Sequence, residues 1–336
     1  MISRSRRLIG TSVGLLLAWQ VGSLCFGAEA RLASTHSSQV GSLSWATVLD
    51  AAPDPTVIAD PAIRLRIAAT GLPWRVREAS CGIEMLLVPA GTFTMGASAG
   101  DMDAVVAEQP AHEVTITKPF YLSRTEVTQQ QWVKAMKSNP SRFQESTFRT
   151  IAVESREAEL QTLLLEGFTR REAQRKLGAE RAIIDDTTNF PVDSMSLADL
   201  KVFLQKSNLQ LPTEAQWEYA CRAGSKSPTY GPLDAIAWCG PNSHEHTHPV
   251  GTLAANAFGL HDMLGNVWEW CSDRFAVDSF VASKAGVVDP TGPSSGEASV
   301  VRGGNWLSLP KTCRSSYRIG AASGVPAYGF RVARNP

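Results

Sequence analysis

Cysteine is scarce in this chain: six in 336 residues, and no two spaced as Cys-x-x-C. That spacing would signal a zinc ribbon or a thioredoxin-like pair, so neither is expected. An excess of either charge is missing too. Thirty-two basic side chains balance thirty-two acidic ones for a net charge of zero, which gives no reason to expect nucleic acid or an anionic membrane as partner. No Ser-His-Asp order, glycine-rich phosphate loop or acid–base carboxylate pair is present to carry hydrolysis or phosphoryl transfer. Beyond Gly224 even regular helix and strand patterns thin out, and Gly, Pro, Asn and Ser take over.

What is present begins at the N-terminus. Arg4, Arg6 and Arg7 precede an apolar stretch from Leu8 to Cys25, followed by the small-x-small triplet Ala28-Glu29-Ala30. This order predicts a secretory signal peptide over residues 1–30. The apolar core is short for a membrane span, and Leu24 before Cys25 argues against a lipoprotein signal. The expected location is exported, whether periplasmic, secreted or cell-surface, with no membrane span after signal cleavage. Export leaves Cys81, Cys221, Cys239, Cys271 and Cys313, enough for one or two disulfides and an odd thiol in an oxidising compartment.

Residues 31 to about 60 are rich in Ser, Ala, Thr, Pro and Asp with little periodicity, and order is expected to begin within 63–76; residues 31–77 therefore read as a flexible lead-in. The domain proper is expected over 78–336. Residues 85–96 read as strand, turn and strand, and 112–117 alternate as a half-buried strand does. Thr128 is placed to cap a helix over 129–137, another helix is expected over 197–207, and Thr213 with Gln216 forms a capping box ahead of a helix that stops at Gly224. The charged, Leu-rich residues 150–185, with a capping box at Thr169 and Glu172, predict a helical hairpin on the surface.

The most informative stretch is Gly259-Leu260-His261-Asp262-Met263-Leu264-Gly265-Asn266-Val267-Trp268-Glu269-Trp270. Together with Val88-Pro89-Ala90-Gly91-Thr92-Phe93-Thr94-Met95-Gly96, Glu126-Val127-Thr128, Leu211-Pro212-Thr213-Glu214-Ala215-Gln216-Trp217-Glu218-Tyr219-Ala220, Arg302-Gly303-Gly304 and Gly329-Phe330-Arg331, it resembles the formylglycine-generating enzyme or sulfatase-modifying factor family, with the pieces in family order. The resemblance implies a single α+β domain of irregular, loop-rich, C-type-lectin-like fold, with 150–185 as a helical insertion. Its members include oxidases that use copper and oxygen to convert a sulfatase cysteine, in a Cys-x-Pro-x-Arg context, to formylglycine. Others are iron-dependent sulfoxide synthases, siderophore-maturation proteins and ligand-binding modules.

The oxidase members hold copper(I) between two cysteines shortly after Arg-Gly-Gly, a soft-ligand arrangement. Counted from the glycines, Ser308 stands at the first of these positions and Cys313 at the second; counted from Arg314 and Gly329-Phe330-Arg331, a short deletion appears and Cys313 is only the residue before a structural arginine. One thiolate does not make a two-sulfur copper site, so the expectation is a family domain without its cysteine pair, and Cys313 is expected in a disulfide, with Cys221 the first candidate. The family's calcium ligands fall on Asp262, Gly265, Val267 and Glu269, and two carboxylates on a glycine-containing loop suit a hard cation. His244, His246 and His248 could share a strand face as metal ligands, but a solvated turn is the expected reading. Trp217, Trp238, Trp268, Trp270 and Trp306 read as core or as an aromatic groove. The function expected is therefore a calcium-stabilised binding or accessory module, or an unidentified oxidase. The alternatives are a formylglycine-generating oxidase acting on an exported protein or peptide such as a sulfatase, and a lectin-like module.

Overall fold

A computed structural model of the chain describes residues 43–177, 186–282, 286–322 and 327–336. The signal peptide expected over 1–30 and the end of the insertion, 178–185, lie outside the described residues. Among the described residues no helix is long and apolar enough to cross a membrane.

The architecture is α+β. Met85, Leu86, Leu87 and Val88 are all buried, and such an apolar run makes Glu84–Val88 the middle strand of a five-stranded antiparallel sheet. Arg75–Glu78 and Ala46–Asp50 extend it on one side, Phe120–Ser123 and the C-terminal Ala333–Arg334 on the other. A second sheet orders Arg318–Ala321, Ser299–Arg302, Trp268–Arg274 and Tyr328–Gly329. A third joins Val287–Val288, His112–Ile116 and Gly91–Met95, and a two-stranded parallel pair joins Ala237–Trp238 to Leu264–Gly265.

The helices form where their caps stand. Thr128 accepts from Gln131 N and Gln131 returns the bond, opening Gln129–Met136; Thr213 and Gln216 do the same for Glu214–Arg222. Trp132 stacks on Phe203 of helix Leu197–Ser207 with ring centroids 5.2 Å apart, which joins two helices over one apolar core.

Two expectations change. The lead-in is ordered from residue 43: it supplies strand Ala46–Asp50 and helix Pro61–Ala68, and Ile58, Ile63, Ile67 and Trp74 enter the core. The composition hid this because four well-spaced apolar residues suffice when the sheet already offers a surface. The helical insertion begins earlier than expected, with helices Glu145–Leu165 and Arg170–Leu177. Its root is anchored by Phe148, which joins Phe143, Phe190, Trp306 and Ala327 in a small separate cluster, whereas Leu165 at its far end is 90% exposed.

Candidate functional site

The loop that carries the family's calcium positions is built on backbone conformations ordinary residues resist. Gly265 has φ +81°, and a Cβ there would lie 2.4 Å from Trp238 O, so glycine is required for the parallel pairing with Ala237–Trp238. Asn266, also left-handed, accepts from His248 N at 2.9 Å and donates to Glu126 Oε2 at 2.7 Å. Val267 N donates to the other Glu126 oxygen at 3.1 Å. Glu269 is held by both arms of Arg331, at 2.6 and 2.8 Å, and by Trp217 Nε1 at 2.6 Å. Asp262 Oδ2 accepts from Gly251 N at 2.6 Å, while its buried Oδ1 has no partner.

The structure thus gathers Asp262, Glu269 and a third buried carboxylate, Glu126, around the single guanidinium of Arg331. Burial, reinforced by the charges of Asp262 and Glu269, pushes the Glu126 carboxyl well above the usual range; burial first, and then the charge of Glu269, lifts Asp262 to about 6. The orphaned Asp262 Oδ1 is what a hard cation such as calcium would satisfy in this group, though among the described residues its three carboxylates are not arranged as a metal-holding set. Glu269 enters it already bound to Arg331. Sequence reasoning placed Glu126 in a motif and missed it as part of this group, since only folding brings it to the loop.

The second half of the site follows Arg302. This arginine is fully buried between Glu218 and Glu214 and donates to Tyr317 O at 2.7 Å, which anchors the start of the Gly303-Gly304 turn. A Cβ on Gly304, φ +82°, would lie 2.6 Å from Cys313 Sγ and 3.3 Å from Ser308 Oγ; the turn lies directly on the thiol. Ser308 accepts from Asn305 N and donates to Asn305 Oδ1, both at 2.9 Å. Its carbonyl accepts from Gly240 N at 3.0 Å, and Ser243 Oγ donates to Trp306 O at 2.6 Å. Those two bonds dock residues 239–243 against 305–308.

Cys239 arrives with that segment, and its thiol interacts with the thiol of Cys313. Cys239 is 3% exposed and Cys313 fully buried. The neighbouring Cys313 draws the Cys239 thiol down from its usual value, and the same contact, with burial, drives Cys313 strongly up. The expected Cys313–Cys221 disulfide is not formed: all five described cysteines are free, and the Cys221 thiol instead donates to Ser315 Oγ at 3.4 Å. Nor is Cys313 the lone thiol of the site. Its partner was invisible in the sequence because Cys239 lies far upstream, where nothing local marks it.

Other candidates resolve differently. His248 stacks on Trp238 at 3.9 Å between centroids and its Nε2 bonds Ser243 O at 2.7 Å, and among the described residues no group of three or more His, Cys, Asp or Glu side chains is set to hold a metal. Trp217, Trp268, Trp270 and Trp306 are buried, so they are core and not a groove. Arg314 is clamped by Asp101 and Glu108, and Arg318 by Glu214; these arginines tie loops together. Two cavities, of about 510 and 370 Å³, are lined by neither Cys239 nor Cys313.

Comparison with known proteins gives a consistent answer. The sequence profile of the "Sulfatase-modifying factor enzyme 1-like domain" matches residues 75–336. A formylglycine-generating enzyme of Streptomyces coelicolor is 30% identical over 299 residues, covering 81% of this chain and 90% of that protein. Among solved structures, PvdO from Pseudomonas aeruginosa superposes with a TM-score of 0.58 at 26% identity, over 78% of this chain and 98% of its own. The Treponema denticola variable protein 1 does so with 0.57 at 23%, over 76% and 95%, a likeness of fold. The α+β, loop-rich topology is shared with these relatives.

Proposed function

The chain belongs to the sulfatase-modifying factor family, and on that premise we propose that it is an exported oxidase that converts a cysteine of an exported protein or peptide, such as a sulfatase, to formylglycine. The observation that carries this reading is Cys313: it sits at the family's second cysteine position, pinned beneath Gly304, with another thiol in contact. Copper, when bound, supplies the electron transfer to dioxygen. The residues of the chain do the rest. Gly303 and Gly304 let the turn close on the sulfur, Ser308 and Asn305 hold that turn, and burial keeps water from the pair.

The balance of the reaction sets what must be supplied. Converting –CH₂SH to –CHO removes two electrons and releases hydrogen sulfide. Reducing dioxygen to the aldehyde oxygen and one water takes four electrons. A thiol reductant oxidised to its disulfide provides the other two. A calcium ion belongs to the same reading, held by the Asp262 carboxylate and the Gly265 and Val267 carbonyls beside Glu269, on the strength of the orphaned Asp262 Oδ1.

The test incubates the full chain with copper(I), oxygen, a thiol reductant and a Cys-x-Pro-x-Arg peptide, and follows peptide mass and trapping by an aldehyde reagent. Aldehyde formation that disappears in Cys313→Ala is the expected outcome. A copper-loaded, folded protein that leaves the peptide unchanged would instead make the chain a binding or accessory module.

A further inference from the structure

We infer that Cys239 supplies the second sulfur of a two-thiolate copper(I) site with Cys313, a ligand position the family's own motif does not use. The inference rests on the oxidase reading for its purpose, and on geometry for its residues.

Cys239 is held on every side. Trp238, just before it, is locked to Gly265 through the parallel pair, and Asn266 N donates to Trp238 O at 2.7 Å. Cys239 N donates to Asn242 Oδ1 at 2.8 Å, and its carbonyl accepts from Asn242 N and Ser243 N, each at 2.9 Å. Gly240, the next residue, is bonded to Ser308 O, and a Cβ there would come within 3.2 Å of that same oxygen. The segment therefore delivers its thiol to one place. Cys313 is fixed from the other side, by Gly304 above and by its own N–H to Pro310 O at 3.1 Å.

The ligand count selects the metal class. Two sulfurs meet, and among the described residues no third or fourth His, Cys, Asp or Glu completes a group. Zinc takes four ligands in a tetrahedron, so a zinc site is short by two. Copper(I) is soft and monovalent, favours thiolates, and leaves little net charge in a buried place. Ser308, which occupies the family's first cysteine position, is a hard hydroxyl already committed to Asn305. The first thiol has in effect moved from position 308 to position 239, across the Gly240–Ser308 backbone bond. On loading, each thiol releases its proton to solvent and forms a bond to copper, with no change of oxidation state.

The test is a competition titration of reduced full-length protein with copper(I) against a chromogenic copper(I) chelator, read as stoichiometry and affinity. Wild type should take one copper. Cys239→Ser and Cys313→Ser should each weaken binding by more than about tenfold, while Cys81→Ser, remote from the pair, should not. The double variant Cys239→Ser/Ser308→Cys restores a thiol pair at the family positions and should recover binding, which separates loss of a ligand from loss of fold. Unchanged affinity in Cys239→Ser would overturn the inference, and so would a reduced wild type that binds no copper. Copper binding that needs Cys239 without peptide oxidation would leave the site standing and remove the oxidase reading; oxidation unimpaired in Cys239→Ser would do the reverse.

Discussion

His248 shows how far a single residue departs from its free chemistry here. Burial drives its imidazole down to about 4, against an ordinary value near 6.5, so the ring is neutral in the folded chain at pH 7. Its folded value is depressed, so the stability it contributes is fully present above about pH 6.5 and is lost as pH falls toward 4. Melting temperature measured across that window should therefore decline less in His248→Asn than in wild type, whatever the common background from other groups. Parallel pH profiles for the two proteins would contradict this. The residue scale is also where sequence reading succeeded and failed most clearly. Counting from Gly303-Gly304 drew attention to Ser308 and Cys313, and both side chains lie against the Gly304 turn. Cys239 escaped because its relation to Cys313 exists only through the Gly240–Ser308 contact.

Among the elements, the loop 259–270 is the one whose stability should depend on an ion. Glu126, Asp262 and Glu269 converge there, with Arg331 the offsetting charge among the described residues, and Asp262 Oδ1 lacks a partner. Chelation should lower the melting temperature, and calcium but not magnesium should restore it, since magnesium demands near-octahedral, water-rich coordination that a rigid peptide loop does not provide. No shift with chelator would sink the calcium assignment. Elements with strong local signals were legible in advance: helices Gln129–Met136, Leu197–Ser207 and Glu214–Arg222 start where Thr128, Ser196 and Thr213 cap them. Two-residue strands such as Ala237–Trp238 were not, because their existence depends on a partner and a missing Cβ at Gly265.

Over the whole molecule, loops are tied down by buried arginine–carboxylate pairs as much as by regular structure. Arg302, Arg314, Arg318 and Arg331 link distant segments to Glu218, Glu108, Glu214 and Glu269. This explains how a chain with five free cysteines holds a loop-rich half together without disulfide staples among its described residues. Family and fold were legible from ordered motifs; the two-thiol site was not, because its ligands come from separate motifs that the arginine network and the Gly265 pairing bring together. Copper K-edge X-ray absorption on the copper(I)-loaded full chain tests that site most directly. Two sulfur neighbours in wild type, falling to one in Cys239→Ser, is the expected result. A single sulfur in wild type, or a spectrum unaltered in Cys239→Ser, would contradict it.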